Sequence, residues 1–165
     1  MWGVSGMEKN GTGVGIRLWG VAAAMMLGAV VPSAAGAQAV PKAYATNCQM
    51  CHQAAGKGVP GLFPRLGGRV EEIGKSPEGR KWLLAVLLNG QSGRITVDGK
   101  PISGVMASFA RLPDEDIAGV LTYLSHGKGK AFTAAEVAAA RGGPKWTPAK
   151  VGEERARLMK AGVIK

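Results

Sequence analysis

Aromatic side chains make up only 5% of the 165 residues, and a chain so poor in them lacks much of the bulk from which a compact core is normally built. The interior therefore has to borrow bulk, and a bound cofactor is one source. Cysteine and histidine number two each, so any chemistry they carry is concentrated in very few positions. Acidic residues are outnumbered, 11 against 21 Lys plus Arg, which leaves a formal charge of +10 and points to an acidic partner. The longest apolar run, Leu18 to Val31, falls short of the roughly 18 residues a membrane-spanning helix needs. Internal repeats and phosphate-loop spacing are absent, and the length allows one ordinary domain, which excludes an enzyme with two large lobes. Glycine, by contrast, is abundant at 26 residues, more than twice its usual share of about 7%.

The apolar run is preceded by Lys9 and Arg17 and followed by Pro32-Ser33-Ala34-Ala35-Gly36-Ala37, the charged, apolar and small-residue regions of a secretory signal. Cleavage is expected after Ala37; a cut after Ala39, an uncleaved anchor, and Met7 as the true start are the alternatives. This divides the chain into a signal peptide (1–37), a central domain (38–141) and a basic C-terminal extension (142–165). The central and terminal parts share the positive charge, +4 over residues 38–140 and +5 over residues 141–165.

Both cysteines and one of the two histidines fall together in Cys48-Gln49-Met50-Cys51-His52. Composition alone would produce C-x-x-C-H roughly 0.0003 times in a chain like this, and the pattern is the attachment signature of c-type haem. On a helix, positions three and four apart share a face, so the two thiols and the imidazole point the same way. The sulfurs can then form thioethers with the porphyrin vinyl groups while His52 reaches the iron. A structural zinc site, a thioredoxin-like dithiol and a simple disulfide compete with this reading. Zinc lacks ligands, since beyond His52 only His126 remains; the dithiol lacks a βαβ framework; the disulfide leaves His52 without a role.

From about Val40 to Arg141 the chain resembles the class I cytochromes c. Pro64-Arg65-Leu66 stands twelve residues after His52, as that family's Pro-x-Leu does. The resemblance implies that the Pro64 carbonyl accepts a hydrogen bond from the free nitrogen of His52, fixing the ring's tautomer and orientation. It also implies a methionine as sixth iron ligand, on a loop before the last core helix. Of Met50, Met106 and Met159, Met106 is the one in that place, ahead of Leu112-Pro113-Asp114-Glu115-Asp116-Ile117. Ala107 stands where such cytochromes commonly have proline, so this loop lacks that restraint. The implied fold is all-α, four to five helices around one covalent haem, with a short β-hairpin insertion.

The residues read individually agree. A first helix is expected from Val40 to His52, carrying Tyr44. A second starts at Ser76-Pro77 and runs through Trp82, Leu83, Val86 and Leu87 to a stop at Asn89-Gly90. Asp98-Gly99 between Ile95-Thr96-Val97 and Lys100-Pro101-Ile102 signals a two-residue hairpin turn, with Pro101 excluding a central strand. Pro113 opens a helix with Asp114, Glu115 and Asp116 in its first turn and Ile117, Val120, Leu121, Tyr123 and Leu124 behind them. The family pattern places Tyr44 against Val120 and Tyr123. Thr133 and Glu136 fit a capping box for a helix through Arg141. In the extension a short helix is expected from Glu153 to Ala161, either a loose solvated tail or a basic docking arm.

Together these readings point to a periplasmic electron carrier, not an enzyme. It would hold one covalently attached haem c through Cys48, Cys51 and His52, with His52 and Met106 as axial ligands and Pro64 supporting His52. Such a molecule would be a monomer when isolated and would meet an acidic redox protein, or a membrane dehydrogenase or oxidase complex reached by peripheral association. No nucleic-acid motif is present. A haem enzyme or gas sensor with an open sixth position, and a fixed subunit of a dehydrogenase or oxidase complex, are the alternatives.

Overall fold

The computed structural model describes residues 38–165, and the expected signal peptide lies outside them. Helix begins directly after Pro41. Instead of one helix to His52 there are two, α1 (Lys42–Asn47) and α2 (Gln49–His52), broken at Cys48 with φ −119° and ψ −37°. The break is gentle: the Cys48 N–H still reaches the Tyr44 carbonyl, and the Cys48 carbonyl accepts from both Cys51 and His52. A tightened turn thus carries the two cysteines and the histidine.

After α3 (Arg69–Ile73) comes α4 (Pro77–Asn89), whose start follows the local rules: the Ser76 hydroxyl accepts from the Gly79 N–H at 2.9 Å, and Pro77 occupies a position where its missing N–H costs nothing. Its stop is Gly90, at φ 76°. Strands β1 (Gln91–Val97) and β2 (Lys100–Met106) then form an antiparallel ribbon in which Val97 pairs with Lys100 and Gln91 with Met106. Asp98 and Gly99 both take positive φ, as a primed two-residue turn requires. The hairpin extends well beyond residues 95–102, and Met106 is therefore the last residue of a strand, not part of a loop. The Gly93–Gly104 pair in its middle hides the alternation that would have revealed the longer strands. Pro101 is accommodated because each strand of a two-stranded ribbon is an edge.

Helix α5 (Asp114–Leu124) carries its three acids in the first turn, and α6 (Ala134–Gly142) has both halves of the Thr133–Glu136 capping box. The last helix, α7 (Pro148–Lys160), starts five residues before the expected Glu153. Pro148 sits just inside the Thr147 cap, where proline favours a helix. The described residues thus contain seven α-helices, not four to five. The two beyond the five expected, the one in the extension included, come from the break at Cys48 and the single turn of α3. None is long and apolar enough to cross a membrane.

Tyr44 in α1 is fully buried and meets Tyr123 of α5 with ring centroids 5.1 Å apart, beside buried Val120. This is the crossing that the sequence suggests. Residues 142–165 are a packed wall, unlike a loose solvated tail. Val151 and Leu158 are completely buried, the Trp82 indole donates to the Val151 carbonyl at 3.0 Å, and buried Arg155 donates to the Thr96 carbonyl of β1. Each such apolar side chain contributes about 1.5–3 kcal/mol through burial.

Candidate haem site

His52, at the end of α2, is 6% exposed, and its Nδ1 lies 3.0 Å from the Pro64 carbonyl oxygen. A carbonyl can only accept, so Nδ1 carries the proton and Nε2 keeps its lone pair. Burial lowers the His52 pKa and the Pro64 bond opposes that shift only partly, so the neutral, ligand-competent ring is favoured. Cys48 and Cys51 are free, partly buried thiols one turn apart. Before haem attachment, burial, then the proximity of Cys51, pushes the Cys48 thiol up to about 11.

Backbone geometry brings Pro64 to His52. The Tyr44 hydroxyl donates to the Gln53 carbonyl at 2.6 Å, and Gln53 and Ala55 take positive φ to turn the chain back. The His52 carbonyl accepts from Gly58, and the Gly56 carbonyl accepts from both Leu66 and Gly67. Val59-Pro60-Gly61-Leu62 closes as a turn with Gly61 at φ 79°. Gly58, at φ 69°, has no room for a side chain: a Cβ there would lie 2.6 Å from the Arg65 nitrogen and 2.7 Å from the Pro64 carbonyl carbon. Next to Pro64, Arg65 forks onto the Asp98 carboxylate at the hairpin tip, at 3.0 and 3.1 Å. That bond holds the Asp98 carboxyl below the usual carboxylate range. Phe63 meets the His52 ring edge-on at 6.5 Å.

Met106 sits at the base of the same hairpin, half-buried against the core. A Cβ on Gly90 would stand 2.5 Å from the Met106 carbonyl oxygen, so glycine lets the end of α4 and the end of β2 touch. Beyond Met106 the chain caps α4: Phe109 N–H donates to the Leu87 carbonyl at 2.8 Å, and the Ser108 hydroxyl to the Leu88 carbonyl at 2.7 Å. Arg141 reaches over from α6 and donates to Asp114 and to the carbonyls of Ala110 and Leu112.

The structure thus joins His52, Cys48, Cys51 and Pro64 in one local unit, with Met106 carried separately on the hairpin. Sequence reasoning marks Gly90 only as a helix stop and does not single out Gly58 or a contact role for Arg141. Gly58 stands among so many other glycines that only its close contacts mark it, the approach of Gly90 to Met106 shows only in the fold, and Arg141 makes contacts about 30 residues away. This donor set suits a covalent haem: two thiols on a single turn, a buried neutral imidazole with its outer nitrogen free, and a protein poor in aromatic bulk of its own.

The Cytochrome c family profile matches residues 37–128, more than half of the chain. Two relatives, both named cytochrome c-552 and both from Thermus thermophilus, are each 46% identical over 125 residues. The alignments cover 71% of this chain and 94% and 83% of the relatives. The chain belongs to the cytochrome c family. It carries one covalently bound haem c and is a haem electron carrier working with redox partners.

Proposed function

We propose that this protein is an exported, periplasmic one-electron carrier with histidine and methionine as axial ligands, and that the chemistry of the site is divided among five residues. When bound, the haem supplies an Fe(II)/Fe(III) couple. Cys48 and Cys51 would tether it through thioether bonds. His52 offers Nε2, held in the right tautomer by Pro64, and Met106 offers its thioether, which favours the ferrous state and raises the potential. The observation that carries this reading is the 3.0 Å contact from His52 Nδ1 to the Pro64 carbonyl, which supports the imidazole from behind.

With both axial positions filled by the protein, substrates have no open place to bind, and the reading is of a carrier, not an enzyme. The pinned segment after Met106 favours this over an open-site sensor. Burial of Val151, Leu158 and Ile164 in the molecule's own core favours a self-contained carrier over one whose tail anchors it in a complex. The excess of 21 basic over 11 acidic residues suits brief encounters with an acidic partner.

Met106→Ala tests the assignment. It should open the iron to carbon monoxide and lower the potential; an unchanged spectrum would assign the sixth position to another residue. The mass of the exported protein should equal that of residues 38–165 plus one haem. Electron transfer to an acidic partner should slow as salt is raised, and a rate indifferent to salt would remove the electrostatic part of the reading.

A further inference from the structure

We propose that Arg141 is a positioning residue for the methionine ligand: its guanidinium fixes the segment that follows Met106 and so restrains the thioether in place, a role that rests on Met106 being the sixth ligand. The segment from Ala107 to Pro113 contains no regular structure, and Ala107 leaves its start unstiffened. Its first half is tied to the last carbonyls of α4 through Ser108 and Phe109. Its second half is tied to the rest of the fold through Arg141. Nε donates to the Asp114 carboxylate, Nη1 to the Ala110 carbonyl and Nη2 to the Leu112 carbonyl. Three acceptors on two successive pieces of chain are thus gripped by one rigid planar group, which a lysine cannot reproduce.

Arg141 can hold because α6 itself is held. Val137 is completely buried, and Arg80 forks onto Glu136 while donating to the Lys130 and Ala131 carbonyls. The grip is partly buried, with 29% of the Arg141 side chain and 25% of the Asp114 side chain exposed. Salt therefore screens it less than a surface pair. A methionine at the end of a strand whose following segment can swing away should exchange more readily with outside ligands. Arg141 opposes that swing from the far side of the segment.

The test is competition by added imidazole for the sixth position in the oxidised holoprotein, followed through the near-infrared sulfur-to-iron charge-transfer band. Arg141→Met should bind imidazole about tenfold more tightly than the unaltered protein, the change expected if about 1.4 kcal/mol of restraint is lost. Arg141→Lys should fall between the two. In the Met106→Ala background the identity of residue 141 should make no difference. Ile164→Val, a core change remote from the segment, should lower the melting temperature without altering imidazole affinity, which separates positioning from general loosening. If Met106→Ala raises imidazole affinity but neither Arg141 variant does, Arg141 is no positioning residue. If Met106→Ala itself leaves the band and the affinity unchanged, the ligand assignment fails and takes this role with it.

Discussion

The loop that brings Pro64 to His52 and the strap that runs from Gly90 through Met106 to Pro113 are alike in purpose, yet the first is held by its own neighbours and the second by distant residues. The Pro64 loop closes on itself through the Gly58 bond to the His52 carbonyl, the paired Gly56 contacts and the Val59–Phe63 bridge. The strap leans on Leu87 and Leu88 about twenty residues back and on Arg141 about thirty ahead. A region of the first kind is vulnerable to backbone changes within it. A region of the second kind is vulnerable to side-chain changes elsewhere.

Gly58→Ala should expose that difference most sharply. It combines a left-handed backbone with a Cβ placed inside the Arg65 and Pro64 backbone, and it should cost about 3 kcal/mol in thermal or denaturant melts. The His52 side of the site should be disturbed, seen as a shift in the histidine ring resonances, with the Met106 band retained. Gly90→Ala is the counterpart on the strap. The positive φ and the 2.5 Å approach to the Met106 carbonyl predict a loss of about 2 kcal/mol and a weakened Met106 band with His52 intact. Should both variants disturb both ligands equally, the two regions are not independent.

Acid should act on the distant supports of the strap more than on the Pro64 loop, whose one carboxylate tie, Arg65 to Asp98, is exposed. The Arg80 guanidinium beside Glu136 holds its carboxyl below the ordinary value. A carboxylate with a depressed folded pKa contributes stability above its unfolded value, and that contribution is lost as pH falls through the folded one. Melting temperature should therefore drop as pH falls below the ordinary glutamate range by more in the unaltered protein than in Glu136→Gln. The smallest effect belongs to the tie between the two regions. Arg65 and Asp98 are 42% and 50% exposed, so Asp98→Asn should cost only about 0.5 kcal/mol and less at high salt. A cost above about 2 kcal/mol would exceed anything an exposed pair supplies and would mean that the hairpin tip is structurally essential to the loop.

What the sequence discloses follows the same division. Ser76-Pro77, Asp98-Gly99, Thr133 with Glu136, and the Cys48 to His52 motif are all signals contained within a few residues, and each has its local element in the fold. The break at Cys48 has no such signal, since neither glycine nor proline marks it. Met106 reads as a loop residue because the family resemblance places its methionine on a loop, and Gly93 and Gly104 interrupt the alternation that would have marked the strand. The helix of the terminal segment reads as starting later than it does because Pro148 resembles a breaker, although Val151, Arg155 and Leu158 are spaced for one helical face. Burial of that face depends on Trp82 and β1, which lie more than fifty residues earlier.

The Trp82–Val151 bond spans 69 residues, and this bears on how the molecule closes. The face of α4 that carries Trp82 stays uncovered until α7 docks on it. Pairings so far apart pay their loop entropy before any contact rewards it. The seam between α4, β1 and α7 is then slow to seal, and a chain whose α7 has yet to dock keeps an apolar stripe open to solvent.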